Sequence, residues 1–234
     1  MAGWDALVNS RRFLALGAVL ACMNLGACTS TAPLRSETAA FDWSSQQKRL
    51  LLVKPDVELG EVTAGGVVEP RADWSDKATR GIEDSLSAAL SRRGIQVDAL
   101  ASLSDPREVQ LAKLNGVVGG EILIHQMGFS KLPTKTSALD WTLGPGTNAF
   151  RTKYRADYAM FVFVRDTYSS DSRKALMFLG MATGGTQIAF ASLVDLRTGN
   201  IVWFNRLLTT AGGDLRNSSG AGEFTANLLK DSPL

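Results

Sequence analysis

The chain has 234 residues, of which 45% are hydrophobic and 21% charged, and a formal net charge of +2. This balance is typical of a globular protein. The small net charge produces only a weak electrostatic field, which gives no support to nucleic-acid binding. Cys22 and Cys28 are the only cysteines and His125 is the only histidine, so a Cys-His zinc site is not expected once the first cysteine is removed with a signal peptide.

The first segment has the pattern of an export signal. Arg11 and Arg12 precede the apolar run Phe13 to Leu25, which is followed by the small residues Gly26 and Ala27 and then by Cys28. The run has about 13 residues, fewer than the ~20 that a membrane-spanning helix needs. We therefore predict a signal peptide over residues 1–27. An ordinary signal peptide with an incidental cysteine, or a partial twin-arginine signal, are the alternatives.

The stretch Leu25-Gly26-Ala27-Cys28 resembles the lipobox of bacterial lipoproteins. The resemblance implies cleavage before Cys28, a diacylglycerol on its thiol and a further acyl chain, such as palmitate, on its new amine. Several acyl chains hold a protein on a membrane stably, whereas one does so only marginally. Thr29 in place of Asp implies sorting to the outer membrane, with the domain in the periplasm. Residues 28–46 are rich in Ser, Thr and Ala and predict a flexible tether, followed by a single globular domain over residues 47–234.

The first half of that domain predicts two strands and a helix. The apolar run 50–53 predicts a buried strand, residues 57–68 with three glycines predict a loop, and residues 95–100 predict a second strand. Apolar residues at spacings of three and four between Ala78 and Leu90 predict the helix, which Asp73 or Ser75 could cap.

A second helix is predicted to begin after Asp105, because Asp105, Pro106 and Glu108 form a capping box with proline at the first position. Each of its glycines costs about 1 kcal/mol relative to alanine in a helix. The helix therefore either runs on to His125, with its glycines at a close packing contact, or breaks near Gly119 and leaves residues 121–125 as a strand.

The second half of the domain is predicted to be richer in strands. We expect a short helix over 147–154, a central strand over 157–164, a hairpin of 187–194 with 200–208, and a closing helix near Phe224. The apolar segment 175–182 predicts a buried helix, with an exposed apolar patch as the alternative. The predicted fold is α/β (α+β): a mixed, largely antiparallel sheet flanked by helices, with a C-terminal hairpin and closing helix.

One acidic, glycine-containing region between residues 58 and 76 is the best candidate for a site. Paired carboxylates can serve acid–base chemistry or Ca²⁺ binding, but no EF-hand spacing is present, and acids before a helix are also expected from its dipole. We therefore predict a partner-binding surface rather than a metal or catalytic site. Its residues are Glu58, Glu61, Glu69, Arg71, Asp73 and Trp74.

No motif indicates a reaction or a cofactor. His125 falls on a predicted apolar helix face without a G-x-S-x-G nucleophile motif, and the glycine pairs lack the form of a phosphate-binding loop. We accordingly predict no catalytic residue, no cofactor, no metal and no nucleotide.

The region from Leu50 onwards resembles a proteobacterial family of envelope lipoproteins. The residues that carry the resemblance are Pro55 to Leu59, Gly65-Gly66 with Glu69 to Trp74, and Ser192 to Gly199 with Val202 to Asn205. More distantly, the hairpin and the order of elements are similar to those of the curli-secretion lipoproteins (CsgG) and the penicillin-binding-protein activators (LpoB). This resemblance implies a sheet flanked by helices and a function carried out by contact with other proteins.

These observations predict a lipid-anchored envelope lipoprotein whose periplasmic domain is a non-enzymatic binding or adaptor module with an envelope protein as partner. One alternative is an oligomeric component associated with secretion or a pore. Another is an enzyme acting on peptidoglycan or glycolipid through the acidic region 58–76.

Overall fold

The computed structural model describes residues 30–31, 34–35, 48–128, 130–135, 138–209 and 213–234. The predicted signal peptide, 1–27, and Cys28 lie outside the described residues. The strands are β1 (Ser30–Thr31), β2 (Leu34–Arg35), β3 (Leu50–Val53), β4 (Asp56–Val62), β5 (Val68–Pro70), β6 (Val97–Leu100), β7 (Tyr158–Ser169), β8 (Gln187–Asp195) and β9 (Ile201–Thr209). The helices are α1 (Ala72–Arg92), α2 (Pro106–His125), α3 (Asn148–Tyr154), α4 (Asp171–Phe178) and α5 (Ser218–Leu228), with a short 3₁₀ turn at Pro145–Thr147.

One mixed sheet is built around β7. Its first half pairs in parallel with β3 and its second half with β4, while β8 runs antiparallel along its other edge. β6 extends the sheet beyond β3, and β9 extends it beyond β8. The predicted α/β fold, with a mixed sheet, flanking helices and a C-terminal strand pair and helix, is confirmed.

Helices cover both faces of the sheet, and alternate residues of each strand belong to different cores. Leu50 and Leu52 pack with α1 and α5, whereas Leu51 and Val53 pack with α2 and α3. This alternation follows from the two-residue period of a strand. It explains why the run 50–53 is apolar at every position: both faces of β3 are buried.

The prediction of a loop over 57–68 is wrong. Residues 56–62 form β4 and pair with seven residues of β7, and only residues 63–67 turn the chain into β5. The three glycines suggested a loop, but the pairing with a strand a hundred residues away decides the conformation, and local composition does not report it. Gly60 suits this hairpin, since a Cβ there would lie 2.7 Å from Cγ1 of Val68.

The predicted capping of α1 is also wrong in detail. α1 begins at Ala72, and the residue before it, Arg71, makes no side-chain cap. Ser75 has another role: its Oγ donates to the carbonyl of Arg71 and accepts from the N–H of Leu59, each at 2.9 Å. The hydroxyl therefore ties the first turn of α1 to β4. The capping box predicted at Asp105 and Glu108 is confirmed, and α2 runs unbroken to His125.

The backbone of four residues in the predicted tether, 28–46, pairs with the last strand. Ser30 and Thr31 lie opposite Leu208 and Leu207, and Leu34 and Arg35 lie opposite Phe204 and Trp203. The rest of that segment lies outside the described residues. Within the described chain, no helix combines the length and the apolar character needed to cross a membrane.

Candidate partner-binding surface

Most of the residues singled out in the acidic region meet around the ring of Trp74. Arg71 donates from Nη1 to Oε2 of Glu61 at 2.7 Å, and its Nε lies 3.5 Å from Oδ1 of Asp73. The centre of its guanidinium is 4.2 Å from the ring centroid of Trp74. Glu69 lies directly opposite Glu61 on the neighbouring strand and is exposed. The first turn of α1 and the β4–β5 hairpin thus supply five of the six predicted residues to one surface.

A second arginine, which sequence reasoning missed, completes this surface. The guanidinium of Arg216 lies 4.9 Å from the ring centroid of Trp74 and 4.1 Å from that of Tyr168, and the two rings meet edge to face at 5.9 Å. Asp214 holds Arg216 through two contacts of 2.9 Å. This hydrogen bonding lowers the pKa of Asp214 and raises the pKa of Arg216. We call Glu61, Arg71, Trp74, Tyr168 and Arg216 the Trp74 cluster.

Buried polar groups support the cluster from below. The hydroxyl of Tyr168 donates to Oδ2 of Asp166 at 2.6 Å and accepts from the N–H of Leu215 at 2.9 Å, and Nε2 of Gln187 donates to the same Asp166 oxygen. Burial raises the pKa of Asp166 and, together with the carboxylate of Asp166, that of Tyr168. Sequence analysis missed this network, because the predicted strand 157–164 ends before Asp166, whereas β7 continues to Ser169.

Glu58 does not join the cluster. Successive residues of β4 face opposite sides of the sheet, so Glu58 points away from Glu61 and instead lies 3.3 Å from Nε of Arg165. Arg165 also pairs with Asp56 at 2.9 Å, and its guanidinium lies 4.1 Å from the ring centroid of Phe163. The predicted grouping of Glu58 with the other acids is therefore wrong, because the residues are in a strand and not in a loop.

The arrangement suits binding better than proton transfer. Arg71 occupies the carboxylates of Glu61 and Asp73, and Arg165 occupies that of Glu58, so these oxygens are not directed together at a common point where a substrate could sit. Aromatic and arginine side chains, in contrast, are the residue types enriched at protein interfaces.

A second candidate lies at the start of α2, around the buried carboxylate of Glu108. This side chain accepts hydrogen bonds from Lys153, from the hydroxyl of Tyr154 at 2.5 Å and from the N–H of Asp105 at 3.4 Å. Burial opposes the charge, but the bonds from Lys153 and Tyr154 outweigh it and hold the pKa of Glu108 below its usual range. The adjoining cavity of 210 Å³ is smaller than the ~300 Å³ at which ligand pockets begin. Glu108 therefore serves as a helix cap and buried ion pair.

His125 is in a structural setting at the end of α2. Its Nδ1 lies 2.8 Å from the carbonyl of Ser130, and its Nε2 lies 3.1 Å from Oε2 of Glu121. These two partners are a backbone carbonyl and a carboxylate, not a serine hydroxyl that the ring could activate. Among the residues described, no three His, Cys, Asp or Glu side chains are placed to hold a metal ion.

The apolar segment 175–182 is exposed, so the favoured prediction of a buried helix is wrong and the alternative of an apolar patch is right. Residues 171–178 do form a helix, α4, but none of its residues is buried. Phe178 is 92% exposed, Leu179 66% and Met181 72%. The charged residues Asp171, Arg173 and Lys174 stand in the same helix directly before the segment, and burying the helix would bury them as well.

Comparison with known proteins found distant structural likenesses. The chain matches no protein-family model and no curated protein sequence. A PelC dodecamer from Paraburkholderia phytofirmans matches with 14% identity and a TM-score of 0.41, over 87% of this chain and 95% of that one. The lipoprotein GNA1162 from Neisseria meningitidis matches with 16% identity and a TM-score of 0.32, over 78% and 96%.

The C-terminal domain of LpoB from Salmonella enterica matches with 13% identity and a TM-score of 0.30, over 73% of this chain and 88% of that one. The fold-level likeness to LpoB that the sequence suggested is thus found. At these scores it carries no argument about function.

Proposed function

We propose that this protein is a lipid-anchored lipoprotein of the cell envelope, held at the outer membrane through Cys28, whose periplasmic domain binds another envelope protein and catalyses no reaction. The lipobox-like stretch ending at Cys28 carries the proposal. The pairing of Ser30 with Leu208 supports it, because the chain joins the sheet two residues after the predicted lipid. The domain would therefore work close to the membrane surface.

The Trp74 cluster is the proposed contact surface for the partner. Its ring and two guanidinium groups are held in place by Glu61 and Asp214, so little side-chain freedom would be lost on binding. Arginine and aromatic side chains that are ordered before binding are common binding hot spots. The exposed carboxylates of Glu69 and Asp73 border this surface and favour a partner with complementary basic groups.

The lipid anchor is tested by labelling cells with an alkyne analogue of palmitate and recovering the protein. Wild-type protein should carry the label at its mature N-terminal cysteine, and a Cys28→Ala variant should carry none and keep its signal peptide. Unlabelled wild-type protein cleaved at another position would overturn the anchor.

The binding role is tested by affinity purification of the full-length lipoprotein from crosslinked envelopes. Arg71→Ala and Trp74→Ala should each lose the partner. Arg165→Ala is the matched control, since both arginines are about one-third exposed, pair with carboxylates and lie against an aromatic ring, but on opposite faces of the sheet. Recovery of the protein alone, or equal loss in all three variants, would contradict the proposal. A phenotype lost from Arg71→Ala with the partner still bound would support the enzymatic alternative.

A further inference from the structure

Exposed apolar side chains gather at one end of the sheet. This end is where β4, β7 and β9 finish and where β5 and β8 begin. The large apolar side chains exposed there are Val67, Val68, Met177, Phe178, Leu179, Met181, Ile188 and Leu208. In the described residues only four others are exposed, all on α2 or just after it: Leu114, Val117, Ile124 and Leu132. We call the first set the apolar end.

The most exposed part of the apolar end is a hydrogen-bonded turn at the C-terminal end of α4. The N–H of Met181 bonds to the carbonyl of Leu176 and that of Gly180 to the carbonyl of Met177, each at 2.9 Å, with Gly180 at φ +71°. These two bonds define a Schellman motif, in which the left-handed position favours glycine. Arg173 fastens the turn to its surroundings by donating to the carbonyls of Thr183 and Thr63. The fold thus fixes Phe178, Leu179 and Met181 in an exposed position.

The predicted lipid attaches at this same end. Ser30 lies opposite Leu208, and Leu208 lies opposite Ile188, so one row across three strands joins the start of the described chain to the apolar end. Cys28 is two residues before Ser30, and two residues reach at most about 7 Å. An acylated Cys28 would therefore bring the bilayer to the end of the sheet that carries the exposed apolar side chains.

Charge around the turn also suits a bilayer surface. Lys174 is one helical turn before Phe178, so the two side chains share a face of α4, and the lysine side chain is 61% exposed. Its partner Asp171 is almost fully exposed, and such surface pairs are weak. A lysine beside apolar side chains can place its ammonium at lipid phosphates while the chain below lies against hydrocarbon.

We propose that the apolar end is a second membrane contact, in which Phe178, Leu179 and Met181 insert into the bilayer that holds the lipid on Cys28. This inference rests on the proposed function for the position of the anchor. One fully inserted apolar side chain contributes enough free energy for about a tenfold change in partitioning. Two contacts would set the orientation of the domain on the membrane and keep the Trp74 cluster near its surface.

The test uses the mature chain from residue 28 with Cys28→Ala, which removes the lipid and the last cysteine. A Phe178→Cys substitution then gives one labelling site for an environment-sensitive fluorophore, and Val117→Cys, on an exposed part of α2, gives the control. When vesicles of phosphatidylethanolamine and phosphatidylglycerol are added, the fluorescence emission of the label at position 178 should shift to the blue. Lipids with a nitroxide in the acyl chain should quench it. The label at position 117 should do neither.

A second measurement follows sedimentation of unlabelled Cys28→Ala protein with the same vesicles. Phe178→Ser with Leu179→Ser and Met181→Ser should reduce binding by about tenfold or more. Leu114→Ser with Val117→Ser should leave binding unchanged.

A label at position 178 that stays in water would overturn the proposal, even if palmitate labelling of Cys28 succeeds. A wild-type dimer that the triple variant converts to a monomer, without vesicle binding, would also overturn it and assign the apolar end to a second copy of the chain. Failure of palmitate labelling alone would refute the anchor and leave the vesicle result to be read separately.

Discussion

Gly119 of α2 lies against the ring of Phe190 on β8, and a Cβ at position 119 would come within 2.2 Å of two ring carbons. The contact is possible only because glycine leaves the helix backbone bare at this point. Phe190 is itself stacked between Phe163 and Phe204, at centroid distances of 4.8 and 5.3 Å, so its ring has little room to move. Close packing of a ring explains why a residue that weakens helices is found in the middle of α2.

We expect Gly119→Ala to destabilise the protein by about 1–3 kcal/mol, because the cost of overpacking exceeds the gain in helix propensity. Gly120→Ala is the control: outside its own stretch of helix backbone, no described atom lies within 4 Å of a Cβ at that position. That variant should be up to about 1 kcal/mol more stable than wild type. Urea denaturation measures both. Equal effects in the two variants would contradict the packing explanation.

Sequence patterns predicted those helices and strands whose conformation is determined by residues close together in the sequence. The capping residues Asp105 and Glu108 marked the start of α2, and the run 50–53 marked a strand covered on both faces. The continuity of α2 through Gly119 could not be decided, because it depends on Phe190, which is far away in the sequence. β4 was missed for the same reason, since its partner is β7.

The candidate site shows the same division. Arg71, Asp73 and Trp74 could be grouped because they are neighbours in the sequence, and Glu61 because it lies only ten residues away. Tyr168 on β7 and Arg216 in the segment before α5 complete the cluster, and no sequence spacing reveals that they meet Trp74. Segment 175–182 was predicted to be buried because apolar runs usually are; only the fold shows that most of its side chains are exposed in the described structure.

Phe178 should contribute almost nothing to the free energy of unfolding, in contrast to a core phenylalanine. We expect Phe178→Ala to change stability by less than about 0.5 kcal/mol, since the side chain is 92% exposed. Phe224→Ala, in a side chain that is 2% exposed, should cost about 3–5 kcal/mol. Denaturant titration in the absence of lipid compares them. A large loss in Phe178→Ala would mean that the apolar end is packed in solution.

Glu108 should make the folded protein less stable as the pH falls. Its pKa is lower in the folded protein than in the unfolded chain, so its contribution is present above the unfolded value of 4.5 and is lost as pH falls through the folded value. Glu108→Gln should therefore cost about 1–3 kcal/mol near neutral pH and progressively less below about pH 5. Glu223→Gln, on the exposed side of α5, should stay within about 0.5 kcal/mol of wild type throughout. A cost that does not shrink in acid would contradict the ion pair.

Asp166 should make folding stability depend on pH in the opposite direction to Glu108. Burial raises its pKa in the folded protein, so the folded state retains a proton that the unfolded chain has already released. Stability must then fall as pH rises through the raised pKa, and Asp166→Asn should remove that fall. As the pH rises from about 4 through the raised pKa, the variant should gain on wild type, by about 1.4 kcal/mol for each unit by which the pKa is raised. Denaturation measured across this range, beside Glu108→Gln, tests the two carboxyls together: the same pH trend in both variants would show that hydrogen bonds and not burial dominate at Asp166.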